Sequence, residues 1–131
     1  MNPALQQDIA RLVLRLALGA TILLHGIAKI RGGLGGIERM VEAHGLPGEL
    51  AYGALVGEVV APLMLLLGFH ARIGALLVLV NMLFAIGLVH MGELGALGRS
   101  GGWAIELQAM FVAAATALML LGPGRFSVNQ R

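Results

Sequence analysis

Residues 9–30 read IARLVLRLALGATILLHGIAKI, and the reading of this stretch decides the fold. Apart from Arg11, Arg15, His25 and Lys29, its residues are apolar or small. Its length, about 20 residues, matches the hydrocarbon core of a bilayer. At about 100° per residue, Arg15 lies roughly 40° from Arg11, Lys29 returns almost to the direction of Arg11, and His25 falls about 40° to the other side. Four basic side chains therefore share an arc of about 80° on an otherwise lipid-compatible helix. A charge near mid-bilayer costs on the order of 2.5–3.5 kcal/mol on the gentlest insertion scale. Arg11 and Lys29 can snorkel toward opposite interfaces. Arg15 lies more than a turn inside and needs a partner.

The whole composition agrees with a membrane setting. Of the 131 residues 58% are hydrophobic and 12% charged, where a soluble domain carries about 25% charged residues. Mean hydropathy is +0.87. The length predicts one domain over residues 1–131. The net charge of +2 is too small for nucleic-acid binding. The absence of cysteine excludes disulfides, thiolate metal sites and a thiol relay within the chain. Arg11 and Arg15 lie inside the first apolar stretch rather than before it, so that stretch is expected to stay as an anchor and not to be a cleaved signal. Asp8 is the expected cap of the first helix.

Further spans are expected at 50–69, 73–91 and 103–122, giving an all-α, integral-membrane four-helix bundle with antiparallel sequence neighbours. Between the first two spans, Ile37, Met40, Val41 and His44 follow helical spacing among Glu38, Arg39 and Glu42. They predict a short amphipathic surface helix, ended by Gly45-Leu46-Pro47-Gly48. GELGALGRSGG, residues 92–102, reads as a flexible connection. Gly53, Gly57 and Asn81 are expected to mediate helix packing. With both termini cytoplasmic, that face carries Arg11, Arg15, Arg72, Arg125 and Arg131, against Lys29, Arg31, Arg39 and Arg99 opposite. The bias toward the terminal face favours that orientation.

Glu58 lies near the middle of the second span, and Glu106 opens the fourth. Depth alone predicts Glu58 bonded toward Arg15, and Glu106 toward Lys29 or His25. Such a set can simply lock helix register. It can also mark a ligand or proton site, because the ionisable groups come from several spans. The candidates for ligand binding or proton exchange are Arg15, His25, Lys29, Glu58 and Glu106. His90 points away from Asn81 on an ideal helix and reads as interfacial. No ligand spacing supports a metal site, the scattered Met residues read as packing, and no nucleotide loop or nucleophile motif is present.

The order of features resembles the DoxX family of small bacterial membrane proteins. The resemblance is carried by Arg15 in LRLALG, HGIAKI, the Gly45-Leu46-Pro47 turn, Glu58, LLLGFHARIGALL, IELQAMF with Glu106, and GPGRFSV. It implies a bacterial inner-membrane location and, for some members, a place as a membrane subunit of thiosulfate:quinone oxidoreductase or beside other redox partners. Three functions are therefore expected to compete. The first is a quinone- or redox-associated membrane subunit, belonging to a quinone-linked oxidoreductase if the chain serves an enzyme at all. The second is a non-enzymatic scaffold or assembly factor for a redox partner. The third is a small-solute or lipid transporter, for which so few spans would need a homo-oligomer. Quinone is the one cofactor suggested, with no metal or nucleotide.

Overall fold

In the computed structural model, which describes residues 1–129, the chain is helical. Helix α1 runs Pro3–Gly32. Pro3 suits a first-turn position, where its missing N–H costs nothing, and the Asn2 side chain accepts from the Leu5 N–H at 2.7 Å. Asn2, not Asp8, is therefore the cap, and the polar lead is helical. Asp8 instead accepts from Arg11 at 3.3 Å and from the Arg125 N–H at 3.3 Å, which ties α1 to the C-terminal segment. Helix α2, Gly35–Ala43, is the expected amphipathic element, with Val41 buried. Gly45 at φ 78° closes it.

Helix α3, Gly48–Leu67, is apolar and long enough to cross a membrane. It begins as a 3-10 turn and widens to π geometry at Val56–Val60, where the Ala61 N–H donates to Val56 O. Pro62 follows immediately. A proline removes the N–H that would bond the carbonyl four residues earlier, here that of Glu58, and its ring crowds that carbonyl. Widening the helix one turn earlier relieves the crowding. Gly68 at φ 71° ends α3, and α4 rises over Ala71–Leu88. A second π segment, Ile86–His90, closes α4 and leads into a short 3-10 turn, Met91–Glu93.

The stretch expected to be a flexible connection is folded. Leu97 and Trp103 form an isolated antiparallel bridge, the Ala104 N–H donates to Ala96 O at 3.0 Å, and the Trp103 indole donates to Leu94 O at 2.7 Å. Those bonds hold Trp103 out of the last helix, so α5 starts later than expected, at Glu106–Leu121. Its 16 residues rise about 24 Å, short of the roughly 30 Å hydrocarbon core. Among the described residues three helices, α1, α3 and α4, meet the length and composition needed to span a bilayer by themselves.

Helices α1, α3, α4 and α5 close a bundle in which α1 and α4 each pack on both α3 and α5. Leu18, Ile22, Ala61, Leu65, Ala75, Val78, Phe111, Ala115 and Leu118 fill its centre. Large apolar side chains such as Val13, Leu24, Leu63, Ile73, Leu83, Met110 and Leu120 point outward, the surface a lipid solvent requires. Gly26 lets α1 meet the α3 backbone: a Cβ there would come within 2.7 Å of the Glu58 carbonyl carbon. Gly57 does the same for α3 and α4, with a Cβ falling 2.5 Å from Asn81 Cγ. Gly53 has no neighbour within 4 Å of such a Cβ. It is exposed and not at a close crossing.

Candidate functional site

The π turn of α3 presents Glu58 inward, and three helices meet at its carboxylate. Lys29 of α1 donates to Oε1, and Asn81 of α4 donates to Oε2 at 3.3 Å. Lys29 reaches Glu58 from above, since helical side chains lean toward the N-terminus of their helix. Gly26 and Gly57, on either side, bring both backbones close enough for these bonds. Glu58 is 4% exposed. A buried carboxylate needs a compensating charge and filled lone pairs, and Lys29 and Asn81 supply them.

Beside this cluster lies a cavity of about 580 Å³. It is walled by α2 (Ile37, Met40, Val41), by α3 (Leu50, Ala54, Val56) and by α4 (Leu77, Val80, Phe84, Leu88), with Phe111 of α5. The polar groups on its wall are His25, Lys29, Glu58, Asn81, His90 and Gln108. The His25 ring stands edge-on to Phe111 at 5.9 Å. His90 bonds Glu93 Oε1 through Nδ1 at 3.4 Å, and Gln108 Nε2 lies 3.3 Å from its Nε2. The volume falls in the range of small-molecule sites, which are mostly apolar with a few placed polar groups.

Among the candidates from sequence, His25, Lys29 and Glu58 come together on this cavity, and Arg15 and Glu106 do not. Glu58 pairs with Lys29 rather than Arg15, because α3 descends from the cavity end of the bundle and its π turn keeps the carboxylate at the level the Lys29 chain reaches. Arg15 is fully buried toward the terminal face. There it donates to Leu65 O at 3.1 Å and to Phe126 O. It closes the C-terminal end of α3, where carbonyls lack helical partners and a cation is favoured. Glu106 is exposed, with its carboxylate folded against Gly102, and forms no ion pair with Lys29 or His25 among the described residues. The late start of α5 turns it off the cavity. Asn81, expected as packing glue, is a hydrogen-bond partner of Glu58 and a wall residue. His90 also lines the cavity, because the π segment Ile86–His90 shifts the phase of α4 from that of an ideal helix. Gln108 went unsingled in the sequence, although an amide within an apolar span marks it. Arg131, counted with the terminal face, lies outside the described residues.

Among the described residues no group of three or more His, Asp or Glu is arranged to hold a metal ion. The family model described as DoxX matches residues 10–91. That segment carries α1, α2, α3 and α4, and with them Lys29, Glu58, Asn81 and His90. No curated protein and no solved structure matched the chain. The chain belongs to the DoxX family, and its apolar helices make it a membrane protein of that family.

Proposed function

We propose that this DoxX-family protein binds a quinone head group in the cavity beside Glu58 and serves as a quinone-associated membrane subunit for a redox partner protein. The observation that carries the reading is the pairing of an apolar cavity of about 580 Å³ with a Lys29–Glu58–Asn81 cluster in its wall. A quinone ring requires apolar walls and hydrogen-bond donors for its carbonyl oxygens. The Lys29 ammonium and the Asn81 and Gln108 amides are such donors, and His25 can be one. Phe111 and Phe84 supply flat apolar wall. Glu58, on the cavity wall, is positioned to hold or release a proton near the bound ring. When bound, the quinone supplies the electron-accepting chemistry, and the partner supplies the electrons. The protein's own task is to orient the ring and manage protons. The reading places the chain in the bacterial inner membrane with both termini in the cytoplasm, where Arg11, Arg72 and Arg125 meet the cytoplasmic face.

Titration of the purified protein in lipid nanodiscs with a short-tailed ubiquinone analogue tests this reading. Lys29 is the one lysine of the chain, so ¹⁵N-lysine labelling gives a single ammonium resonance beside the cavity. Saturable movement of that resonance, with affinity weakened about tenfold by Glu58→Gln, is the expected result. A wild-type resonance that does not move, with no quinone retained, would overturn the assignment. The protein would then be better described as a scaffold whose polar cluster only holds its helices together.

A further inference from the structure

The rim of the cavity beside Glu58 has an apolar part, and its place in the fold bears on what the cavity can hold. Gly53 and Val56 of α3 and Val80 and Phe84 of α4 make this part of the rim. We infer that it is a slot open sideways to the bilayer, and that the ligand is a quinone whose long hydrocarbon tail leaves the cavity through it. The inference rests on the quinone reading and deepens it by naming the class of quinone and the path of its tail.

Helices α3 and α4 approach most closely where Gly57 meets Asn81. From that crossing toward the α2 end they part. Helix α4 packs on Val56–Val60 and Ala61–Leu67 of α3, and its contact fades over Gly48–Leu55. A Cβ on Gly53 would meet nothing within 4 Å. Val56, Val80 and Phe84 line the cavity and are still 43%, 43% and 57% exposed. The space between them therefore runs from the cavity to the outside of the bundle.

What lies outside at that depth is lipid. Val80 and Phe84 follow the start of α4 at Ala71 by about 14 and 20 Å of helical rise, inside a hydrocarbon core of about 30 Å. Helix α2 packs on the first turn of α3, Gly48–Tyr52, and on the end of α4, Ile86–His90. It thus bridges the two helices above the slot, so the slot faces the bilayer and not the membrane surface. A tail in the slot meets the apolar side chains of Val56, Val80 and Phe84 in place of lipid. A head group drawn in from the same side meets Asn81 at the base of the slot, with Glu58 and Lys29 bonded behind it.

The test narrows the slot and compares two probes in lipid nanodiscs, the ubiquinone head group without a tail and its decyl-tailed form. Each is followed through the ¹⁵N-Lys29 resonance. Gly53→Leu puts a side chain into open space, and Val80→Trp fills the slot from the other helix. Each variant is compared with wild type for the same probe, so partition into lipid cancels. Both variants are expected to weaken the decyl-tailed probe about tenfold more than the tailless one. Leu83→Trp, on the outward face of α4, should leave both probes at wild-type affinity. An unmoved Lys29 resonance before titration is the criterion of folding, and one folded slot variant suffices. Equal losses for the two probes, or no loss for either, would overturn the slot and leave the quinone reading in place. If neither probe moves the wild-type resonance, the quinone reading itself falls and the slot falls with it.

Discussion

Two ionisable residues, Glu58 and Arg15, are buried among the described residues, and their surroundings differ. Glu58 has a charged partner. Arg15 is held through carbonyl groups, Leu65 O and Phe126 O, and its Nε lies buried without a partner. Lys29→Met leaves the Glu58 charge with Asn81 alone. Removing the charged partner of a buried carboxylate costs up to about 3 kcal/mol, so the thermal unfolding temperature in detergent should fall. The double variant Lys29→Met/Glu58→Gln should recover most of the loss, because no buried charge remains. If the double variant is as unstable as the single one, the pair is a packing element and not an electrostatic one.

Arg15→Leu has a different signature. It keeps the volume but uncovers carbonyls at the end of α3 and releases the segment that crosses them. That segment is also tied by the Val128 N–H to Leu67 O at 3.1 Å and by the Asn129 side chain, which accepts from the His70 N–H at 3.0 Å. A loss of about 2 kcal/mol should appear together with faster proteolysis after Gly122. Unchanged proteolysis would mean that the tail is held without Arg15.

Among the elements, α3 carries the most departures from ideal geometry, and each bears on Glu58. Pro62→Ala restores the N–H that α-helical geometry needs and removes the reason for the π turn at Val56–Val60. The variant should be at least as stable as wild type, while the Lys29 ammonium resonance shifts as Glu58 rotates away. A stable variant with an unmoved resonance would separate the π turn from the proline. The glycines offer a paired comparison. Gly26→Ala drives a methyl group to within 2.7 Å of the Glu58 carbonyl carbon and should destabilise by about 1–3 kcal/mol, the usual range for overpacking. Gly53→Ala meets nothing within 4 Å at φ −59°. It should be neutral or stabilise by up to about 1 kcal/mol. Equal effects at both positions would show that the α1–α3 crossing is looser than its geometry implies.

For the whole molecule, the bundle sorts its polar groups by end. One end gathers the terminal segments, Asp8, Arg11, Arg15, Arg72 and Arg125. The other gathers α2, the cavity and the folded turn before α5. Four crossings, α5 included, would put Gln6 and Arg125 on one side of the membrane and Arg99 on the other. The chain has no cysteine, so single cysteines at these positions report without background. An impermeant thiol reagent added to intact cells or spheroplasts should label Arg99→Cys, and should reach Gln6→Cys and Arg125→Cys after lysis only. Labelling of Arg99→Cys and Arg125→Cys alike before lysis, with Gln6→Cys reached only after it, would mean that α5, the shortest of the apolar helices, does not cross.

The sequence by itself determined the solvent and the architecture. Long apolar runs broken by glycine turns can satisfy their backbone in lipid only as helices, and short connections make neighbours antiparallel. It also exposed the polar groups needing compensation, because a charge in an apolar span is visible without coordinates. Partner choice belonged to the tertiary structure. Helical-wheel reasoning assumes constant phase, and the π segments at Val56–Val60 and Ile86–His90 break it where Glu58 and His90 lie. Depth reasoning assumes a common level for the helix starts, and the folded turn that ends at Trp103 moved Glu106 off the cavity. The C-terminal segment occupied Arg15 by presenting Phe126 O, an interaction across 111 residues of sequence separation. Hydrophobic pattern is a local property and can be read along the chain. Which acid meets which base depends on the rotation, level and close approach of separate helices, and these are fixed only when the whole bundle packs.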